Sequence, residues 1–295
     1  MAAGDTITQS LADSLDTVVA SARQIREYEG VMPNLVDKVT LSEGTGTSWR
    51  EISMAALSAQ NITETTTLDN PQQMSDTVFS ITPTVTGIQT LVTDRVASRI
   101  NSQSHAQLGS LAQQAIQRKK DEDGLTVLDG ATTSLSGAGT TLASGVIAAA
   151  AYRISSNATE PGNPPYRCVL HGFQIKDLYD ELTAGIGTAA AGETTDGLTA
   201  RVFTEGFRGK IAGVEVFEDG NITIDSSTDD AKGGVFAQEA IVLVQGRAPR
   251  TATVRREDIG GGATVVYLYD EYAYGERSAG NWLFEVVSDA TVPTS

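Results

Sequence analysis

The chain has 295 residues, with 21 Lys+Arg against 37 Asp+Glu, and its net charge of −16 argues against nucleic-acid binding as the main task, because phosphate neutralisation needs clustered cations. The single cysteine, Cys168, and the two histidines, His105 and His171, exclude a disulfide framework and a Cys/His metal cage. No run approaches the roughly 20 apolar residues of a membrane span, and the first residues lack the basic and apolar regions of a signal peptide, so the expectation is a protein made and folded in a cytoplasm.

In chain order, Leu11, Leu15, Val18, Ala22 and Ile25 recur in steps of four and three, which predicts an amphipathic helix stopped by Gly30 and Pro33. Residues 40–92 change character. Runs 47–52 and 76–85 alternate like strands, with Val78, Ser80 and Thr82 on one face and Phe79, Ile81 and Pro83 on the other. Pro83 inside the second run points to an edge strand or an arm. The intervening residues 57–74, rich in Thr, Asn and Gln, are too many for a tight turn, so the block reads as an extended hairpin with a polar tip.

Residues 94–122 give the strongest helical signal. Val96, Ile100, Gln103, Gln107 or Leu108, Leu111, Ala115 and Ile116 form one stripe. Arg95, Arg99, Arg118, Lys119 and Lys120 lie off it or at its end, where cations suit the C-terminal dipole. Such a helix spans about 40 Å. Residues 131–145 read as a Thr/Ser/Gly/Ala loop, 145–155 as an Ala-rich helix and 160–165 as a proline-rich break. A buried strand over 166–171, an amphipathic helix over 173–182 and a Gly/Ala/Thr loop over 185–200 follow. The remainder is β-rich, with strand signals at 209–221, 236–245, 265–275 and 281–287. Helices and strands are segregated more than alternating, so the class is α+β.

Reactive chemistry is hard to place. No phosphate-binding loop occurs, and Gly137-Ala-Gly139 and Gly185-Ile-Gly187 lack the third glycine of a dinucleotide fingerprint. Alternation puts His171 on the face opposite Cys168 and Leu170, as a packed or surface histidine, and His105 reads as solvated. Asp219, Asp225, Asp229 and Asp230 lack the ligand spacing of a calcium loop and read as a solvated acidic loop. Asp270 and Glu271 are adjacent on a strand and point to opposite faces, a poor acid–base pair. Tyr267, Tyr269, Tyr272 and Tyr274 have no basic residues between them, so they read as sheet packing or subunit contacts more than base-stacking platforms. The Asn-x-Thr sequons at Asn61, Asn157 and Asn221 are expected by chance in a Thr-rich chain. No catalytic, cofactor-binding or metal-ligating residue is assigned, and no cofactor is expected. A chain of reach and edges suggests contacts with copies of itself.

The order of parts, together with Tyr166-Arg-Cys-Val-Leu-His-Gly-Phe-Gln-Ile-Lys-Asp-Leu178, Gly206-Phe-Arg-Gly-Lys-Ile-Ala-Gly-Val-Glu-Val216, Phe236-Ala-Gln-Glu-Ala-Ile241 and Tyr272-Ala-Tyr-Gly-Glu-Arg-Ser-Ala-Gly-Asn-Trp-Leu283, resembles the major capsid protein of tailed bacteriophages, with the HK97-type fold. Gly172 departs from the proline that many relatives carry after the histidine. The resemblance implies an N-terminal arm over 1–39, an extended E-loop over 40–92 lying across an adjacent subunit, and a P-domain with its spine helix over 93–139. It further implies an A-domain over 140–225 and P-domain strands with the C-terminal segment over 226–295. Hexamers and pentamers of the chain would form the icosahedral head shell of a virion, assembled in the host bacterial cytoplasm and enclosing DNA without sequence-specific binding or a membrane. Trp49, Arg50, Glu51, Phe79, Arg95, Arg99, Tyr272 and Tyr274 are the expected subunit-interface residues. A separate scaffolding protein is expected because little chain precedes the fold, alongside a portal. Residues 43–92 contain no lysine, so no isopeptide cross-link through the arm is expected, and tight packing or a cement (decoration) protein would reinforce the shell. The rival functions are an encapsulin-like shell around cargo enzymes and a small-molecule- or carbohydrate-binding α+β domain.

Overall fold

A computed structural model describes residues 27–44, 46–65, 71–99, 104–188 and 209–294. The helix expected over 11–25 and the later part of the 185–200 loop lie outside them. Strands fall into three sheets. The largest has six strands in the order β5 (Ser134–Ser136), β12 (Leu283–Asp289), β9 (Asp230–Ala237), β6 (Tyr166–Leu170), β8 (Val214–Glu218) and β7 (Lys210–Ile211). β6 and β8 run parallel, whereas β9 runs antiparallel to both of its neighbours. Both faces of the central strands are buried, so they read as continuous apolar runs: Cys168, Val169 and Leu170 are fully buried, as are Val235, Phe236 and Ala237. The helices α4 (Ser144–Ser155) and α3 (Ser104–Asp129) supply Ile147, Ala150, Ile154, Leu125 and Leu128 to the same core.

A four-stranded sheet orders β1 (Asp37–Thr40), β10 (Ile241–Arg256), β11 (Ala263–Glu276) and β4 (Thr84–Thr93). The run expected as one strand over 236–245 is two. β9 ends at Ala237, a 3-10 turn over Gln238–Ala240 redirects the chain, and β10 starts in the other sheet. Both runs are buried and apolar, which hides the corner in the sequence. The segment 226–295 thus contributes strands to both large sheets. The third sheet is the hairpin of β2 (Trp49–Met54) and β3 (Asp76–Ile81). Pro83 stands between β3 and β4, where the chain passes from hairpin to four-stranded sheet and no ladder hydrogen bond needs its missing N–H. The predicted alternation is present: Phe79 is half-buried, and Ile81 and Pro83 are buried, while Val78, Ser80 and Thr82 are exposed.

Two helix ends differ from expectation. The helix expected over 94–122 is described as α2 (Asp94–Arg99) and α3, and α3 continues to Asp129. Arg118 and Lys119 are therefore not C-terminal cations. They sit mid-helix and pair with Glu122 and Asp123 four residues on. Lys120 is not off the stripe: it joins Ala112, Ile116 and Leu128 on the buried face. α5 (Gly172–Thr188) likewise runs past Leu182 into the stretch expected as a loop from 185.

Candidate subunit interface

The hairpin is the part of the described chain with the least cover. Directly opposed pairs Ile52–Val78 and Met54–Asp76 lie on one face. Ile52 is 60% exposed, Met54 67% and Val78 60%, so this stripe has no apolar layer over it among the described residues. Leu57, Ile62 and Met74 toward the tip are equally exposed. Polar contacts hold the part below the tip: Ala55 N–H donates to Ser75 O at 2.9 Å and Ser58 N–H to Gln72 Oε1 at 2.9 Å. A two-stranded ribbon of this kind is at best marginally stable in water.

The root is anchored firmly. Ile81 is buried with Val242 and Val244, and Phe79, Trp49 and Ala273 pack around them. Gly275 makes room, since a Cβ there would lie 2.6 Å from Ile81 Cδ1. Arg277 ties three segments together. Its guanidinium donates to Glu51 at 2.7 Å and to Glu239 O at 3.0 Å, pairs with Asp37 at 2.8 Å and stacks 5.7 Å from the Trp49 ring.

These contacts locate the expected interface residues. Trp49, Glu51 and Phe79 face the chain's own body at the root, whereas Arg50 is exposed on the outer face. Arg95 is exposed on α2, and Arg99 ends that helix. Tyr272 is buried, with its hydroxyl donating to Asp123 Oδ2 at 2.8 Å, and Tyr274 meets it edge-on at 6.2 Å between ring centres. Burial pushes both hydroxyls well above the usual tyrosine range, and for Tyr272 the Asp123 hydrogen bond adds to it. In the lone chain these two tyrosines serve an internal strand–helix contact. Tyr267 and Tyr269 stack with parallel rings 5.9 Å apart on the other face of β11, and Arg250 of the neighbouring strand lies 5.4 Å over Tyr269. The basic partner missing between these tyrosines in sequence thus comes from across the sheet.

Sequence reading missed the charges inside the stripe. Lys120 Nζ donates to Gln245 Oε1 at 2.6 Å and pairs with Asp270 at 3.2 Å, and the Asp270 side chain is fully buried. The signal was there: Lys120 follows Ile116 by four residues and continues its face. The acidic loop divides as well. Asp219 and Asp230 are buried rather than solvated, and Asp230 accepts the Gly139 N–H at 2.7 Å, whereas Asp225 and Asp229 are exposed.

Among the described residues, no three His, Cys, Asp or Glu side chains are grouped to hold a metal ion, and no helix is long and apolar enough to cross a membrane. Cys168 is fully buried, and burial pushes its thiol far above the ordinary range. His171 caps α5: its Nδ1 accepts the Phe173 N–H at 3.2 Å, while its own N–H donates to Gln174 Oε1 at 3.0 Å. Burial lowers its pKa against an opposing pull from Glu218. An open groove of about 740 Å³ lies between α3 and residues 221–232, with Lys119, Asp123, Asp129, Asp225 and Lys232 on its walls.

No family model matches the chain, and no curated protein matches it. Solved structures do. The chain is similar to the capsid structure of cyanophage P-SCSP1u at 13% identity and a TM-score of 0.70, covering 97% of this chain and 95% of that one. The acidic stable capsid structure of Helicobacter pylori bacteriophage KHP30 matches at 13% identity and a TM-score of 0.72, covering 97% and 98%. A structure from Mycobacterium phage Che8 matches at 17% identity and a TM-score of 0.72, covering 94% and 97%. The fold is therefore α+β of the HK97-like capsid type.

Proposed function

We propose that this chain is the major capsid protein of a tailed bacteriophage, a structural and non-enzymatic protein that self-assembles into the icosahedral head shell around packaged DNA. The observation that carries the reading is the extent of the likeness: phage capsid structures match it over nearly the full length of both chains. The hairpin supports it independently. Its apolar outer stripe has no layer over it in the described chain, and a second copy would supply one.

On this reading residues 40–92 are the E-loop, residues 93–139 carry the spine helix, residues 140–225 form the A-domain, and residues 226–295 add P-domain strands and the C-terminal segment. Residues 1–39 form the N-terminal arm. Trp49, Glu51 and Phe79 set the angle at which the hairpin leaves the body, and Arg50 with the Ile52, Met54 and Val78 stripe meets the neighbour. Arg95 and Arg99 complete the contact in the assembled shell, while the buried Tyr272 holds β11 against α3 beneath it. Hexamers and pentamers form in the bacterial cytoplasm with a scaffolding protein and a portal, and a decoration protein reinforces the shell. The net charge of −16 keeps the wall from sticking to enclosed DNA.

Negative-stain electron microscopy with mass analysis, on the chain alone and co-expressed with a scaffolding protein, tests this. Rings or closed shells are expected. A monomer of 31.0 kDa under both conditions would overturn it.

A further inference from the structure

Residues 28–32 pass over α3 and the loop after β8 on their way into α1 (Met32–Leu35), and two carboxyls from different elements hold them. Asp121 of α3 is fully buried; its Oδ1 accepts the Met32 N–H at 2.9 Å and its Oδ2 accepts from Asn221 Nδ2 at 2.9 Å. Asp219 is fully buried as well; it accepts the Val31 N–H at 3.2 Å and the Asn221 N–H at 2.9 Å. Asn221 thus straddles the pair, bonding one carboxyl through its side chain and the other through its backbone N–H, and the Asp121 charge acts on Asp219. Gly30 lies so close that a Cβ there would sit 1.9 Å from Asp121 Cγ. Tyr28 seals the outer side, donating to Glu218 O at 3.1 Å with its ring against Gly220.

Among the described residues, the titratable groups facing this pair are neutral or negative. Tyr28 faces it from residues 28–32 and Tyr274 from β11, with Asp123 and Asp270 beyond, while the Glu218 carboxylate lies against Gly172 and acts on Tyr28. The nearby lysines are committed elsewhere, Lys120 to Asp270 and Lys119 to Asp123. Two buried carboxylates in contact repel unless a proton lies between them. We propose that Asp121 and Asp219 form a proton-operated latch, which clamps residues 30–32 onto α3 and the β8–β9 loop while the pair shares a proton and loosens when both carboxyls are ionised. Burial first, with the neighbouring Asp121 charge adding to it, pushes Asp219 up to about 7. Because this folded value is raised above an exposed aspartate's roughly 4, the latch is at full strength below about pH 4. It weakens as pH rises toward 7 and levels off above that. The latch belongs to the folded chain and stands whether or not the chain builds a shell.

Hydrogen exchange of the full-length protein, corrected for intrinsic rates, reads it at the Val31 and Met32 amides. Protection about a hundredfold weaker at about pH 8 than at about pH 5 is expected, with core amides such as Val235 unchanged. Asp219→Asn carries a neutral amide at every pH, so its protection should be flat. Flat protection in the wild type, or an unchanged slope in Asp219→Asn, overturns the proposal. Should that variant fail to fold, a carboxyl 13C titration of the wild type decides alone. One aspartate titrating near neutrality supports the latch, and every aspartate titrating near an ordinary pKa of about 4 overturns it.

Discussion

The hairpin of β2 and β3 and the six-stranded sheet obey the same period-two rule with opposite results. In the sheet, both faces of β9 and β6 are covered, and Phe236, Cys168 and Leu170 are fully buried. In the hairpin, only the Trp49, Phe79 and Ile81 face near the root is covered, and the Ile52, Met54 and Val78 face lies open. The body completes its core within one chain. Among the described residues nothing lays a comparable layer on the hairpin, and on the proposed function a second copy supplies it, which would tie its stability to assembly.

Substitutions should separate the two regions. Phe236→Ala opens a cavity in the body and should lower unfolding stability by about 3–5 kcal/mol, read by denaturant titration of the unassembled chain. Lys120→Met strands the buried Asp270 carboxylate and should cost about 3–5 kcal/mol. Arg277→Ala removes charged hydrogen bonds at the hairpin root and should cost about 1.5–3 kcal/mol; Arg277→Lys should restore only part, because an ammonium cannot reproduce the fork. Met54→Ser, at the open stripe, should leave the lone chain within about 0.5 kcal/mol of wild type while sharply reducing assembly measured by light scattering. Arg118→Ala, which loses an exposed pair with Glu122, should change stability by no more than about 0.5 kcal/mol and leave assembly intact. A Met54→Ser chain that assembles normally, or one that unfolds like Phe236→Ala, would break the contrast.

Local pattern carried much of the fold. Alternation around Pro83 located the arm, because period two needs only neighbouring residues to be read. The strand at Tyr166–Leu170 and the helix at Ser144–Ser155 followed from apolar runs and flanking breaks in the same way. What stayed hidden depends on partners far away in sequence. Arg277 reaches Glu51 across 226 positions, and no local signal links them. Asp219 reads as solvated because its neighbours are polar, yet residues 28–32 and Asp121 bury it from the other side. Arg118, Lys119 and Lys120 resemble a C-terminal cation cluster and so predict an end of α3 before its actual end at Asp129. Arg118 and Lys119 pair with Glu122 and Asp123 four residues on, Lys120 turns to the buried Asp270, and Leu125 and Leu128 continue the buried face. The Tyr267 and Tyr269 stack became intelligible only when strand pairing brought Arg250 beside it.

The most direct test compares hydrogen exchange in the smallest soluble species and the largest assembled one. Amides of Ile52, Met54 and Val78 should exchange readily in the former and be protected at least about a hundredfold more in the latter, while those of Val235 and Phe284 stay equally protected in both. A hairpin already protected in the lone chain, or still unprotected in the assembly, would contradict the account.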